Sequence, residues 1–371
     1  MEVKIQPLIM AEWVHRGTGV KYDTRYFNHP EYRATQDLII RDWLHVNFPK
    51  YFTLDNKMKA EFNIGIGQVY IIICSLFGAE IRYFDNYNPD VASLPLRDVE
   101  DLQEVQVPEI ENSRLISLYL EQYNDLATKY GKHSVSLLGF VNKIDYPNYG
   151  TFVEAWSHSP LTIAYKLRGD QIFIDMIDSS DSVKHLLEVI VMTIEKLWKL
   201  LAKIEEVGEI NLTYIPCCTS SVVGPRVFGQ WDIPIMKKLM SKYSDKGGVH
   251  SCGPSTKVLD ELAKLSELVV LELGEGTDMV AARKLWPKAE LRYILDTYKM
   301  LNDSKEAVKQ KVVKAIEDAG CGLLTIQLSV EWGTPAEMLD VVYETVLEHN
   351  KKEHGIEVVN MRIANMGIHT R

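Results

Sequence analysis

The chain has 371 residues, 46% hydrophobic and 25% charged, a globular profile with room for one large core or two ordinary domains. Its formal net charge of −10 excludes a general nucleic-acid binder, which needs clustered Lys and Arg against phosphate. The five cysteines are few and odd in number, so no disulfide framework is implied; with no signal-peptide pattern and no apolar run of about 18 residues, a cytoplasmic protein without a membrane span is expected.

Residues 1–60 are rich in aromatic and charged side chains, among them Trp13, Arg16, Tyr22, Arg25, Tyr26, Phe27, Tyr32 and Trp43. They read as a helical cap, with a helix over 30–47. Surface positions are the simpler reading for Arg16 and Arg25, although either could meet an anionic substrate. An apolar helix follows Ile64-Gly65-Ile66-Gly67 and stops at Gly78. A short strand is expected at 81–84, then a loop over 86–96 holding Pro89 and Pro95. Leu115, Ile116, Leu118, Tyr119, Tyr123 and Leu126 form the stripe of an amphipathic helix over 112–130. A strand over 134–140 comes next, then helices over 150–167 and 182–206.

From there apolar strands alternate with helices. Strands are expected at 211–215, around His250, at 268–271, 291–295 and 323–328. Helices are expected at 234–243, 258–265, 278–285, 304–318 and 335–351. This alternation predicts a parallel sheet, and a strand count near eight favours a closed (β/α)8 barrel over an open doubly wound sheet. The expected organisation is a cap over 1–60 and a single barrel domain over 61–371. No G-x-G-x-x-G follows a strand and no P-loop is present, so nucleotide binding has no support.

The most informative stretch is Val249-His250-Ser251-Cys252-Gly253-Pro254. Positions i and i+2 of a strand share a face, so the imidazole and the thiol point into one space. Nitrogen and sulfur together suit a soft, tetrahedral cation such as zinc. A third ligand must come from elsewhere, and Cys321 in Ala319-Gly320-Cys321-Gly322 is the leading candidate. A run that begins after Cys321 would put that residue at the wrong end of its strand. Cys217 and Cys218 are alternatives; neighbouring strand residues face opposite ways, so at most one of them faces the site. The competing reading is that a free cysteine is a small buried hydrophobe. Catalytic groups of a barrel gather at the C-terminal ends of its strands. That rule brings in Glu272, as a group orienting His250 or binding substrate, and Asp175 with Asp178. The bland readings are a solvated charge for Glu272 and a turn for the Asp pair. Tyr214, Tyr298 and Trp332 could wall a pocket, or pack in the core.

These motifs resemble the uroporphyrinogen decarboxylase superfamily. The resemblance rests on His250-Ser251-Cys252-Gly253, the strand up to Glu272, Cys321-Gly322 and Gly333-Thr334-Pro335. Looser matches are Phe77-Gly78-Ala79-Glu80, Leu96-Arg97-Asp98-Val99-Glu100-Asp101-Leu102, and Pro225-Arg226-Val227-Phe228 up to Pro234. Within that superfamily the His-x-Cys-Gly with a later Cys is similar to the zinc methyltransferases that act with corrinoid proteins. The resemblance implies a single barrel, zinc held by His250, Cys252 and Cys321, and methyl transfer to or from a cobalt corrin. No Asp-x-His-x-x-Gly is present, so the corrinoid is expected on a partner protein. The small-molecule partner would be a thiol, a folate or a methyl ether. The first 60 residues lack the decarboxylase's arginine signature, which argues against porphyrin decarboxylation. A metal-free carboxy-lyase and a non-catalytic barrel subunit are the alternatives.

Overall fold

The alternating pattern resolves into one sheet of eight strands. They are β1 (Val3–Ile9), β2 (Val141–Tyr146), β3 (Gly150–Trp156), β4 (Leu212–Pro216), β5 (Lys246–Ser251), β6 (Glu267–Gly274), β7 (Glu290–Leu295) and β8 (Leu324–Val330). This is a computed structural model, and it describes residues 2–51, 62–137, 141–331 and 333–356. The strands stand in the order β1-β8-β7-β6-β5-β4-β3-β2. From β1 across to β4 every neighbouring pair is parallel. Parallel neighbours need a crossover. Helices Ile233–Ser241, Leu259–Leu262, Met279–Leu285 and Lys305–Ala319 supply it between successive strands from β4 to β8. Strands of such a sheet are covered on both faces and read as unbroken apolar runs. Accordingly β4 is buried at every position and β6 at all but its first.

The described residues fall into two compact units, one within Met1–Trp13, Lys143–Phe152 and Asn211–Asn365, the other within Val14–Asn142 and Val153–Ile210. In the second unit, helix Ser180–Glu205 buries Val183, Leu186, Leu187, Ile190, Ile194, Leu197, Trp198 and Leu201 along one stripe. It ends where Glu206 turns left-handed. Two small sheets belong to this unit, Phe62–Ile64 with Val135–Leu137 and Ile81–Arg82 with Asp90–Val91.

Two stretches differ from expectation. The first sixty residues are not helical throughout, because β1 pairs with β8 from Val3 opposite Leu324 to Ile9 opposite Val330. Among the described residues β1 ends the strand order, and a strand so placed can spare the N–H that Pro7 lacks. The stretch over 150–167 is β3 followed by helix Pro160–Arg168, not one helix. Ser159 caps that helix by accepting from the Thr162 N–H, and Pro160 takes its first position. Trp332 and residues 138–140 of the expected strand lie outside the described residues.

Gly248 fixes the place of β5. A Cβ there would stand 2.4 Å from the Tyr214 ring and 2.7 Å from Val270 Cγ1. Only a residue without a side chain lets β5 settle between β4 and β6 at this point.

Candidate metal centre

Register sets the site. Pro216, His250, Glu272, Arg292 and Thr325 are successive partners across β4, β5, β6, β7 and β8. Side chains of one row project to one face of the sheet. From His250 to Thr325 the row is therefore a line of polar groups inside an apolar sheet, and such groups persist only when they satisfy one another.

They do so by a chain of short contacts. His250 Nδ1 lies 2.8 Å from Glu272 Oε2. The other Glu272 oxygen accepts from Arg292 Nη1 at 2.8 Å and from Gln327 Nε2 at 2.9 Å. Arg292 Nε donates to Glu290 Oε1 at 2.9 Å, and that oxygen also accepts from Thr325 Oγ1 at 2.8 Å. Gln327 in turn donates to Gln6 Oε1 of β1 at 2.9 Å. Glu272 and Gln327 are fully buried, and Arg292 and His250 nearly so. Burial is the strongest single influence and works against the Arg292 charge, but Glu290, Tyr146 and Tyr214 together outweigh it and hold the guanidinium above its ordinary pKa.

With Nδ1 turned to the carboxylate, His250 Nε2 faces outward. It lies 2.9 Å from Cys252 Sγ, and Cys252 Sγ lies 3.3 Å from Cys218 Sγ. Cys218 and Cys252 stand just past the ends of β4 and β5. The hydrogen bond to Cys252, with burial added, pushes the Cys218 thiol well above its ordinary pKa. Gly274 makes room for the Cys252 turn. A Cβ at Gly274 would meet the Cys252 carbonyl oxygen at 2.3 Å, so a larger residue would displace the turn that carries the thiol.

One ligand atom from each of Cys218, His250 and Cys252 lies within 4.8 Å of the others. One imidazole nitrogen and two sulfurs form the donor set that zinc favours, and three protein ligands leave a fourth position open. The residues present therefore fit a zinc ion.

The structure brings His250 and Cys252 together as their spacing suggested and sets Glu272 beside His250, but the sulfur that joins them is Cys218. Cys321 is exposed in the turn between helix Lys305–Ala319 and β8, ahead of the first residue of that strand. It is at the opposite end of the strands from the residues that follow β4 and β5. Gly320 turns the chain at positive φ, and Arg283 pins the turn by donating to the carbonyls of Ala319 and Leu323. Cys217 faces the other way from Cys218, fully buried, its Sγ 3.4 Å from the His250 carbonyl. Asp175 and Asp178 are not at a strand end. They lie on helix Gln171–Asp178 of the second unit, and Asp175 is paired with Arg168 at 2.8 Å. Tyr214 is buried beside β5 and Tyr298 is exposed. Arg25 lies over the Tyr32 ring. Sequence reasoning missed Arg292, Glu290, Gln327 and Gln6. Their signal was present, since Glu290 and Arg292 sit two apart in an apolar strand, as do Thr325 and Gln327.

Fold and site together define an α/β protein with a nitrogen–sulfur centre at the C-terminal edge of a parallel sheet. The family model for uroporphyrinogen decarboxylase (URO-D) matches residues 148–349, more than half of the chain, and the chain belongs to this family, whose fold is a TIM barrel. No curated protein matches the chain in sequence. Among solved structures, a methyltransferase from Methanosarcina mazei aligns over 94% of this chain and 94% of its own, with a TM-score of 0.61 and 16% identity. A B12-independent methionine synthase from Shewanella sp. W3-18-1, in complex with selenomethionine, aligns over 56% of this chain and 64% of its own, with a TM-score of 0.39 and 14% identity. At such identities the first likeness is one of fold, and the second carries no weight. Among the described residues no helix is long and apolar enough to cross a membrane.

Proposed function

We propose that this protein is a zinc-dependent methyltransferase. It moves a methyl group between a corrinoid carried by a partner protein and a small molecule, namely a thiol, a folate or a methyl ether. The observation that carries the reading is the convergence of His250 Nε2 with the sulfurs of Cys218 and Cys252 in a member of the URO-D family. The fold shared with a protein named as a methyltransferase supports it. The reading takes the sheet as part of a single cytoplasmic (β/α)8 barrel, whose reactive groups belong at the C-terminal ends of the strands.

His250, Cys252 and Cys218 would hold the ion. Bound zinc supplies Lewis acidity that keeps a thiol substrate in its nucleophilic thiolate form near neutral pH. The protein's own groups prepare that site. Glu272 accepts the Nδ1 proton of His250, which selects one tautomer and leaves the Nε2 lone pair facing the sulfurs. Arg292 and Gln327 hold the opposite Glu272 oxygen, so the carboxylate cannot rotate away. Gly274 keeps the Cys252 turn seated over β6.

Metal analysis of protein purified with its thiols protected tests the proposal. About one zinc per chain is expected for a site with this ligand set. Cys252→Ser and Cys218→Ser should each lose the metal, and Cys321→Ser should keep it. Methylcobalamin offered with a small thiol should lose its methyl group, read from the cobalt spectrum, only with the zinc-loaded protein. Methyl transfer undiminished after zinc removal would overturn the mechanism. Release of carbon dioxide from a tetrapyrrole carboxylate by the metal-free protein would establish the carboxy-lyase instead.

A further inference from the structure

We infer that Cys218 and Cys252 form a redox couple, closing to a disulfide with each other when no metal holds them. The backbone places them for it. Pro216 is the register partner of His250, and Cys218 and Cys252 each follow two residues later, just past the ends of the neighbouring strands β4 and β5. Neighbouring strands stand about 4.8 Å apart, inside the range of roughly 4.4–6.8 Å that disulfide-linked Cα atoms span. The two sulfurs already stand 3.3 Å from one another.

Access divides the two roles. Cys252 is exposed and Cys218 half-buried, so Cys252 meets a reactant first and Cys218 resolves the product. Cys321 lies at the far end of the strands and Cys217 Sγ is turned to the His250 carbonyl, so the sulfur in contact with Cys252 is that of Cys218. His250 Nε2, 2.9 Å from Cys252 Sγ, is placed to take the proton as that sulfur attacks.

The oxidant is a low-molecular-weight disulfide. Cys252 Sγ attacks one of its sulfurs, the S–S bond breaks, and the first small thiol leaves with the Cys252 proton. Cys218 Sγ then attacks the sulfur of Cys252 in the mixed disulfide. The protein S–S bond forms, and the second small thiol leaves with the Cys218 proton. Two protein thiols are oxidised and one small disulfide is reduced to two thiols. The product removes two of the three donors at once, so oxidation and metal loading exclude each other.

This inference rests on the contact between the two sulfurs and not on methyl transfer. It is therefore tested on metal-stripped, full-length protein by thiol chemistry alone. The protein is incubated with oxidised glutathione, alkylated, and mapped by mass spectrometry without reduction. The expected result is loss of two of the five thiols, a cross-linked pair of peptides holding residues 218 and 252, no retained glutathione, and full recovery with dithiothreitol. Cys218→Ser, or Cys218→Ala should the serine variant fold poorly, should halt at a glutathione adduct on Cys252. Zinc loaded beforehand should prevent the cross-link. A stable glutathione adduct on Cys252 of the unmodified chain with Cys218 still free, a cross-link through Cys321, or an inert pair would each overturn the inference. A cross-link that forms equally well with zinc bound would overturn its link to metal loading.

Discussion

Arg292 in the first unit and Arg168 in the second are both buried, and each meets a carboxylate at 2.8 Å. Their surroundings differ. Arg168 spends Nη1 on the carbonyls of Leu96, Arg97 and Val99, and Nε and Nη2 on Asp175. Asp175 takes one further bond, from Gln171 one helical turn away. These contacts tie the loop over 96–99 and helix Gln171–Asp178 to the end of helix Pro160–Arg168. Arg292 instead holds Glu272, whose second oxygen goes to His250, whose second nitrogen goes to Cys252 and through it to Cys218. Burial is alike in the two places, although Arg292 meets a second carboxylate, Glu290, at 2.9 Å. What distinguishes them is whether the chain of bonds ends in the fold or at reactive atoms.

The strongest test of that distinction exchanges each arginine for methionine. Breaking a buried ion pair by removing one partner costs about 3–5 kcal/mol, so both Arg292→Met and Arg168→Met should lower stability by that order in urea unfolding. Only Arg292→Met should also weaken zinc binding, by roughly 10–100-fold, the usual effect of losing a group that orients a metal-binding histidine. Metal competition with a chromogenic chelator reads this directly. Equal losses of zinc affinity in the two variants would erase the contrast.

Smaller changes at the carboxylates sharpen it. Glu272→Gln keeps shape and leaves an oxygen that can still accept from His250 Nδ1, but it removes the charge. Zinc affinity should fall by about tenfold, near the lower end of such effects. Asp175→Asn should leave zinc affinity untouched, because its partners belong to the second unit. Wild-type zinc affinity in Glu272→Gln would mean that the carboxylate does not tune the imidazole.

The same contrast explains what could be read in the amino-acid sequence. The strands β4, β6, β7 and β8 were legible because each is a largely apolar run bounded by turn residues, β5 because Lys246-Gly247-Gly248 breaks the preceding helical pattern, and His250 with Cys252 because alternation puts them on one face. The third sulfur was misplaced on Cys321. Parallel strands all end at one edge, so only residues that follow a strand can meet there; Cys218 follows β4, whereas Cys321 precedes β8. Applied strictly, that rule moves the third sulfur to Cys217 or Cys218, and the structure turns Cys218 to the site. The strand β1 left no local signature, since its partner β8 lies more than three hundred residues away and its neighbours are aromatic and charged. Glu272 and Asp175 could not be ranked from sequence, because each is an acidic residue in an apolar stretch and the partners that separate them are distant in the chain.

A third pair extends the comparison and carries the smallest effect. Arg33 and Asp37 lie one turn apart on helix Pro30–Asn47, both buried, with Nε and Oδ2 at 3.8 Å, too far for a hydrogen bond. Burial raises the Asp37 pKa, and the attraction of Arg33 with the Tyr26 hydroxyl, which donates at 2.5 Å, offsets it only in part. The folded chain therefore binds this proton more tightly than the unfolded chain does. Its contribution is fully present below the ordinary Asp value of about 3.9 and is lost as pH rises through the raised folded value. Asp37→Asn removes the titration. The stability difference between wild type and variant, followed by urea unfolding from acid to neutral pH, should move against the wild type as pH rises. A difference that moves toward the wild type would mean that Arg33 closes on Asp37 in solution, making this pair a full ion pair like Arg168 with Asp175.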